Sequence, residues 1–170
     1  YVVLLLIGII ILFQWYATQN RKRIGERNKD YAADSARQTA EKIDKELSNA
    51  LNRISTYSYF VGESLTEPEI TAQMLEEIKD NSLFDTLIFT DAEGMNHVYD
   101  GRVSDASERD YYLNGIQGKS GISAVFDSIL YNETMLSFYA PLFYQGEVIG
   151  VLRGSFLAEK YLKDMLATTY

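Results

Sequence analysis

The chain has 170 residues, room for one domain or one domain with an appendage, and its 46% hydrophobic content is ordinary for a protein that builds a core. It contains no cysteine, which excludes disulfides, thiolate metal sites and cysteine nucleophiles. Its net charge of −8 is unevenly spread: residues 17–29 carry Arg21, Lys22, Arg23, Arg27 and Lys29 against Glu26, a balance of +4, whereas residues 30–170 hold eleven basic and twenty-three acidic residues, a balance of −12. An acidic body repels phosphate backbones, so nucleic acid is not an expected partner, while the basic patch beside an apolar run suits anionic lipid headgroups.

Residues 1–16, YVVLLLIGIIILFQWY, are apolar except for Gln14. As a helix they span ~24 Å against roughly 30 Å of bilayer hydrocarbon. The chain does not begin with Met, so the expectation is an uncleaved transmembrane anchor that starts upstream. Trp15 and Tyr16 fit an interfacial aromatic belt, and no small-x-small cleavage pattern follows. Arg21, Lys22 and Arg23 would place the body on the cytoplasmic side by the positive-inside rule, but with one flank only, charge leaves the side undetermined.

A long helix is expected next, over residues 17–63. Ala36, Ala40, Ile43, Leu47, Ala50, Ile54, Tyr57 and Val61 follow a 4-3 spacing along one face, with no Gly or Pro across residues 26–61. Such a stripe pairs with another helix, including the same helix of a second chain, or packs on its own domain, or divides between the two. Gly62 reads as its stop. Thr66, Pro68 and Glu69 have capping-box and early-helix character, and Ile70, Met74, Leu75 and Ile78 give a second helix one apolar face ending near Asp80 and Asn81.

From Leu83 the period changes to strand. LFDTLIFT and MNHVYD flank a turn at residues 91–94, residues 101–106 read as loop, and Ser107 reads as the cap of a short helix through Leu113 that ends around Gly115 and Gly118. Strands follow over 121–130, 135–142 and 148–155, with turns at 131–134 and 144–147, and a helix over 156–166 closes the chain. The fold class is therefore α+β, an N-terminal membrane helix and long helix followed by an antiparallel five-stranded sheet with flanking helices.

The residues with chemical promise lie within 107–155. Arg109, Tyr111, Tyr112 and Asp127 fall within nineteen residues, enough polar and aromatic groups to line a small-molecule pocket. Tyr111 and Tyr112 are adjacent on one short helix, so both are not expected to face the core, and one is free to meet a ligand. Asp127 lies in a strand and is expected either exposed on an edge or beside a cation, since an unpaired buried carboxylate is costly. His97 is the single histidine and reads as a strand residue rather than a metal ligand. The carboxylates at 91–93 and 105–110 lack calcium-loop spacing, no Ser-His-Asp set or phosphate-cradling loop is present, and Asn132-Glu133-Thr134 reads as a turn. Neither a cofactor nor catalysis is expected.

The order of elements, with Ser107-Glu108-Arg109-Asp110-Tyr111-Tyr112, Gly118, Ile122-Ser123, Asp127-Ser128, Ala140-Pro141-Leu142 and Gly146-Glu147-Val148-Ile149-Gly150-Val151-Leu152, resembles the Cache family of PAS-like extracytoplasmic sensor domains. The resemblance covers roughly residues 20–167 and is greatest to the membrane-distal half of a double Cache domain. It implies an extracellular or periplasmic sensor on the cell membrane. It also implies dimerisation through the long helix and a cytoplasmic output such as a diguanylate cyclase, a histidine kinase or a chemotaxis signalling domain. The amino-acid-binding branch of the family reads ligands with Arg-x-Trp-Tyr and downstream acids. Arg109-Asp110-Tyr111-Tyr112 matches it with Tyr in place of Trp, which gives Arg109 a ligand carboxylate and Tyr111 and Tyr112 the packing around the ligand. Asp127 stands near the first acid of that pattern. Ser155 stands near the second, which grips the amine, and serine cannot neutralise an ammonium. Ser104 stands about where the pattern has an upstream Tyr. The implied ligand is a small molecule bearing a carboxylate, or amino-acid-like; a module that only dimerises and binds nothing is the rival.

Overall fold

A computed structural model describes the backbone of residues 2–65, 70–128 and 131–167, and their side chains except those of residues 2–11, 17, 24–26, 28, 64 and 166. The chain divides into two compact units, Tyr1–Ile43 and Asp44–Tyr170. Helix α1, Val2–Ser64, begins in the first and ends in the second. No helix among the described residues is long and apolar enough to cross a membrane, and the side chains of most of the expected anchor lie outside them.

In the second unit α1 packs with its expected stripe. Ala50, Ile54 and Val61 are buried in the main core, and Leu47 and Tyr57 pack against it. In the first unit Ala36 and Ala40 are exposed. Gly62 does not stop the helix, which continues to Ser64. A Cβ there would collide with the backbone carbonyl of Phe143, so glycine is needed to bring helix and sheet together. Nearby, the buried Ser58 hydroxyl donates to the Pro141 carbonyl at 2.5 Å.

Helix α2, Ala72–Asp80, starts later than the sequence pattern places it. Thr71 is its N-cap, with a side chain that accepts from the Met74 amide, and Asn81 caps its end. Residues 66–69 lie outside the described residues, so the expected capping box has no structural counterpart to compare.

Among the described residues seven strands form one antiparallel sheet: β1 Thr86–Asp91, β2 Met95–Val98, β3 Val103–Asp105, β4 Gly121–Ile122, β5 Phe126–Ser128, β6 Glu133–Tyr144 and β7 Glu147–Leu157. Their order is β3-β2-β1-β7-β6-β4, with β5 also on β6. The expected count of five is corrected in two places. β3 lies within the expected loop at 101–106; three residues are too short to show a period, and pairing with β2 alone makes them a strand. The expected strand over 121–130 is two, because residues 123–125 face only residues 136 and 137 of β6. One surplus residue is a bulge, which bends a strand and re-aims its side chains. The hairpin between β6 and β7 turns on Gln145 and Gly146, both at positive φ, the geometry that matches strand twist in a two-residue turn.

Alternation along the strands divides the sheet into two faces. Leu87, Phe89, Phe138, Leu142, Leu152 and Phe156 join the core with α1 and α2. The opposite face carries Tyr139 and Val151, covered by Ala106 and by Tyr111 and Tyr112 of helix α3, Asp110–Gly115. Helix α4, Ala158–Ala167, closes the chain.

Candidate functional site

The site lies on that second face. The cap of α3 is Arg109, not Ser107: the Ser107 hydroxyl donates to Asp105 at 2.7 Å, and the helix begins at Asp110. Two hydrogen bonds from Ser107, from its amide and its hydroxyl, hold the Asp105 carboxyl below its ordinary value. α3 sits close on β7, where a Cβ at Gly115 would strike the Val151 side chain.

Between α3, β3 and the bulged β4–β5 segment lies a cavity of about 430 Å³. Arg109, Tyr111 and Asp127 line it, so three of the residues expected from the sequence do converge. Arg109 is exposed at the helix start. Asp127 is exposed on the edge strand and accepts from the Thr134 hydroxyl at 2.8 Å, the edge alternative of the two the sequence left open.

Tyr111 and Tyr112 are both buried, against expectation, because the six-residue α3 is clamped between the sheet and the β1–β2 turn. The Tyr111 hydroxyl donates to Asn96 Oδ1 at 2.8 Å, where Thr90 also donates at 2.7 Å, and Asn96 in turn donates to Ser104 at 3.0 Å. This network fixes the cavity's inner wall. Tyr112 points the other way, donates to the Ala92 carbonyl at 2.6 Å, and is not among the lining residues. Burial, then the charges of Asp91 and Glu93, push its hydroxyl pKa up. Ser155 is likewise not among them. It lies opposite Ser137 in the sheet, with the two hydroxyls sharing a hydrogen bond of 2.6 Å, and it is 2% exposed.

The residue that sequence reasoning missed is Arg153. It lies on β7, paired with Ile88 and Tyr139, and lines the cavity while only 5% exposed. Its guanidinium lies 4.4 Å from the Tyr111 ring centre and 5.5 Å from that of Phe126. No ion pair reaches it among the described residues, and its Nε has no hydrogen-bond partner there. Burial pulls its pKa below the ordinary value, the Tyr111 and Tyr131 hydroxyls push the other way, and the charge of Arg109 adds to the depression. The signal was present in VIGVLRGSF: an arginine inside an apolar central strand, in step with Val151 and Ser155 rather than with Leu152.

His97 is a strand residue of β2 whose Nε2 meets Asp91 Oδ2 at 2.6 Å. No group of three or more potential metal ligands occurs among the described residues.

No protein-family model and no curated protein sequence matches the chain. Solved structures do. The ligand-binding domain of the Campylobacter jejuni chemoreceptor Tlp3, in complex with 4-methylisoleucine, matches at a TM-score of 0.66 and 12% identity over 81% of this chain and 61% of that one. The ligand-binding domain of the Pseudomonas aeruginosa PAO1 amino acid chemoreceptor PctC, in complex with GABA, matches at 0.67 and 16% over 80% and 66%. That of Pseudomonas fluorescens CtaA, in complex with L-serine, matches at 0.66 and 19% over 81% and 63%. The chain thus spans less than two thirds of each of these domains. Its fold is the PAS-like, Cache-type fold of chemoreceptor sensor domains. The matched domains are ligand-binding and sensory domains of chemoreceptors.

Proposed function

We propose that the chain is the extracytoplasmic sensing domain of a membrane-bound bacterial signalling receptor, and that it binds a small carboxylate-bearing molecule in the cavity over β7. The observation that carries this is the convergence of Arg109, Arg153 and Tyr111 on one cavity of about 430 Å³, a size suited to a small metabolite. Guanidinium groups match carboxylates bidentately, and aromatic faces pack the ligand's carbon skeleton. Residues 1–16 are the anchor, 17–63 the signalling and dimerising helix, and 64–170 the sensor module, most like the membrane-distal half of a double Cache domain. Ligand binding favours one packing of the sheet on α1, which passes the bias toward a cytoplasmic output domain. An open cavity supports this reading over that of a module that only dimerises.

The test is thermal unfolding of the 170-residue chain, kept in mild detergent because of its apolar first 16 residues, against a library of carboxylates and amino acids. One ligand raises the melting temperature, and Arg109→Ala abolishes the shift. A shift unchanged by Arg109→Ala sinks the assigned site, and a library without effect sinks the sensor reading.

A further inference from the structure

A buried cation is kept only where something compensates for its lost hydration. Arg153 is 5% exposed, its Nε is unpartnered among the described residues, and its positive charge meets there the faces of Tyr111 and Phe126 and the nearby Tyr131 hydroxyl, with no carboxylate in an ion pair. Two rings hold the side chain in place, but its Nε finds no hydrogen-bond partner among the described residues, and a guanidinium has five donors and no acceptor. The second cation of the cavity, Arg109, is exposed and caps α3 without a side-chain bond to the helix. The cavity therefore has a cation at its floor and another at its mouth.

The carboxylates around the cavity do not cancel them. Asp105, Asp110 and Asp127 are all exposed, Asp105 is bonded to Ser107 and Asp127 to Thr134. Charges in water interact weakly, whereas one behind two rings acts in a much lower dielectric. Among the described residues no buried acid lines the cavity to meet an ammonium group. Ser155, two residues beyond Arg153 on the same face, is closed off by Ser137.

We propose that Arg153 holds one anionic group of the ligand at the cavity floor while Arg109 holds a second at its mouth, so that the ligand is a small dianion, a short dicarboxylate, rather than a zwitterionic amino acid. This rests on the sensor reading above and names its ligand class. A monocarboxylate leaves one guanidinium unpaired, and an α-amino acid brings an ammonium toward a buried cation. A dicarboxylate of suitable length satisfies both ends.

The test compares oxalate, malonate, succinate and glutarate with butyrate and glycine, by melting temperature and by titration calorimetry on the full chain in detergent. At least one dicarboxylate binds more tightly than butyrate and glycine. Arg153→Met weakens that dicarboxylate by roughly 10- to 100-fold, as loss of a charge-assisted contact does, yet raises the melting temperature of the ligand-free chain because an unpaired buried cation is gone. Arg153→Lys keeps the charge without the fork and gives an intermediate loss, which guards against a misfolded Met variant. Dicarboxylate affinity unchanged in Arg153→Met overturns the proposal, as does a ligand-free Arg153→Met chain less stable than wild type. Binding of glycine or butyrate through Arg109, with every dicarboxylate silent, overturns the dianion reading and leaves the sensor reading standing. The sensor reading falls separately, when the whole carboxylate and amino-acid library is without effect.

Discussion

The guanidinium of Arg153 lies 4.4 Å from the centre of the Tyr111 ring, and the hydroxyl of that same ring donates to Asn96 at 2.8 Å. One side chain thus couples the buried cation of β7 to the polar network on β1 and β2. Tyr111 is both a wall of the cavity and a tie that holds α3 on the sheet.

The two roles separate by substitution. Tyr111→Phe keeps the ring and removes the donor; Asn96 Oδ1 retains Thr90, so the cost is about 0.5–1.5 kcal/mol of stability and ligand affinity is unchanged. Tyr111→Leu removes the aromatic face, worth about 2 kcal/mol to a desolvated cation, and weakens ligand binding as well. Denaturant unfolding and titration on both variants check this; equal loss of affinity in both would remove the ring from the site.

Gly62→Ala is decided by its sign. A glycine that merely ended α1 would gain up to ~1 kcal/mol of helix propensity on becoming alanine. The Cβ instead meets the Phe143 carbonyl, a backbone atom that cannot turn aside, so the expected result is a loss of about 1–3 kcal/mol by denaturant unfolding.

Ser155→Ala leaves the buried Ser137 hydroxyl without its partner and costs about 1–3 kcal/mol. Because Ser155 does not line the cavity, ligand affinity is expected to stay at the wild-type value in calorimetry. A selective loss of affinity would return Ser155 to the site.

Asp91 supplies the pH dependence. Burial pushes its carboxyl up, but hydrogen bonds from His97 and from the Met95 and Glu93 amides outweigh this and hold it below the ordinary 3.8. A folded-state pKa that is depressed contributes stability above the unfolded value and loses it as pH falls through the folded one. Asp91→Asn is therefore less stable than wild type at pH 7, by on the order of 1 kcal/mol, and the difference shrinks as acid unfolding is followed below pH 3.8. A gap that persists undiminished at low pH would assign the effect to shape rather than charge.

Much of the architecture was legible because it is written in local periods. The apolar stripe through Ala50, Ile54 and Val61, the mostly apolar runs of β6 and β7, and the turn at Gln145 and Gly146 each depend on residues close in sequence. What was misplaced was too short or too cooperative for a period to show. Three-residue β3 exists only by pairing, the bulge at 123–125 only by its register against β6, and Gly62 serves a contact with Phe143 that no local pattern records. Within the site, Arg109, Tyr111 and Asp127 stood out as polar and aromatic residues around one short helix. Tyr112 and Ser155 stood out equally well, and nothing local told the two groups apart.

By itself, the sequence determined the α+β class, the long helix, the paired strands and the kind of side chain available for a ligand, since propensity and periodicity act over a few residues. The tertiary structure alone decided which of those side chains share a cavity. Tyr111, Phe126 and Arg153 meet only because strand register and one bulge bring distant segments onto the same face of the sheet. The same register pairs Ser155 with Ser137 and leaves Arg153 without a counter-ion among the described residues. Burial without a partner is a property of packing, and it is what turns an arginine within an apolar strand into the floor of a cavity.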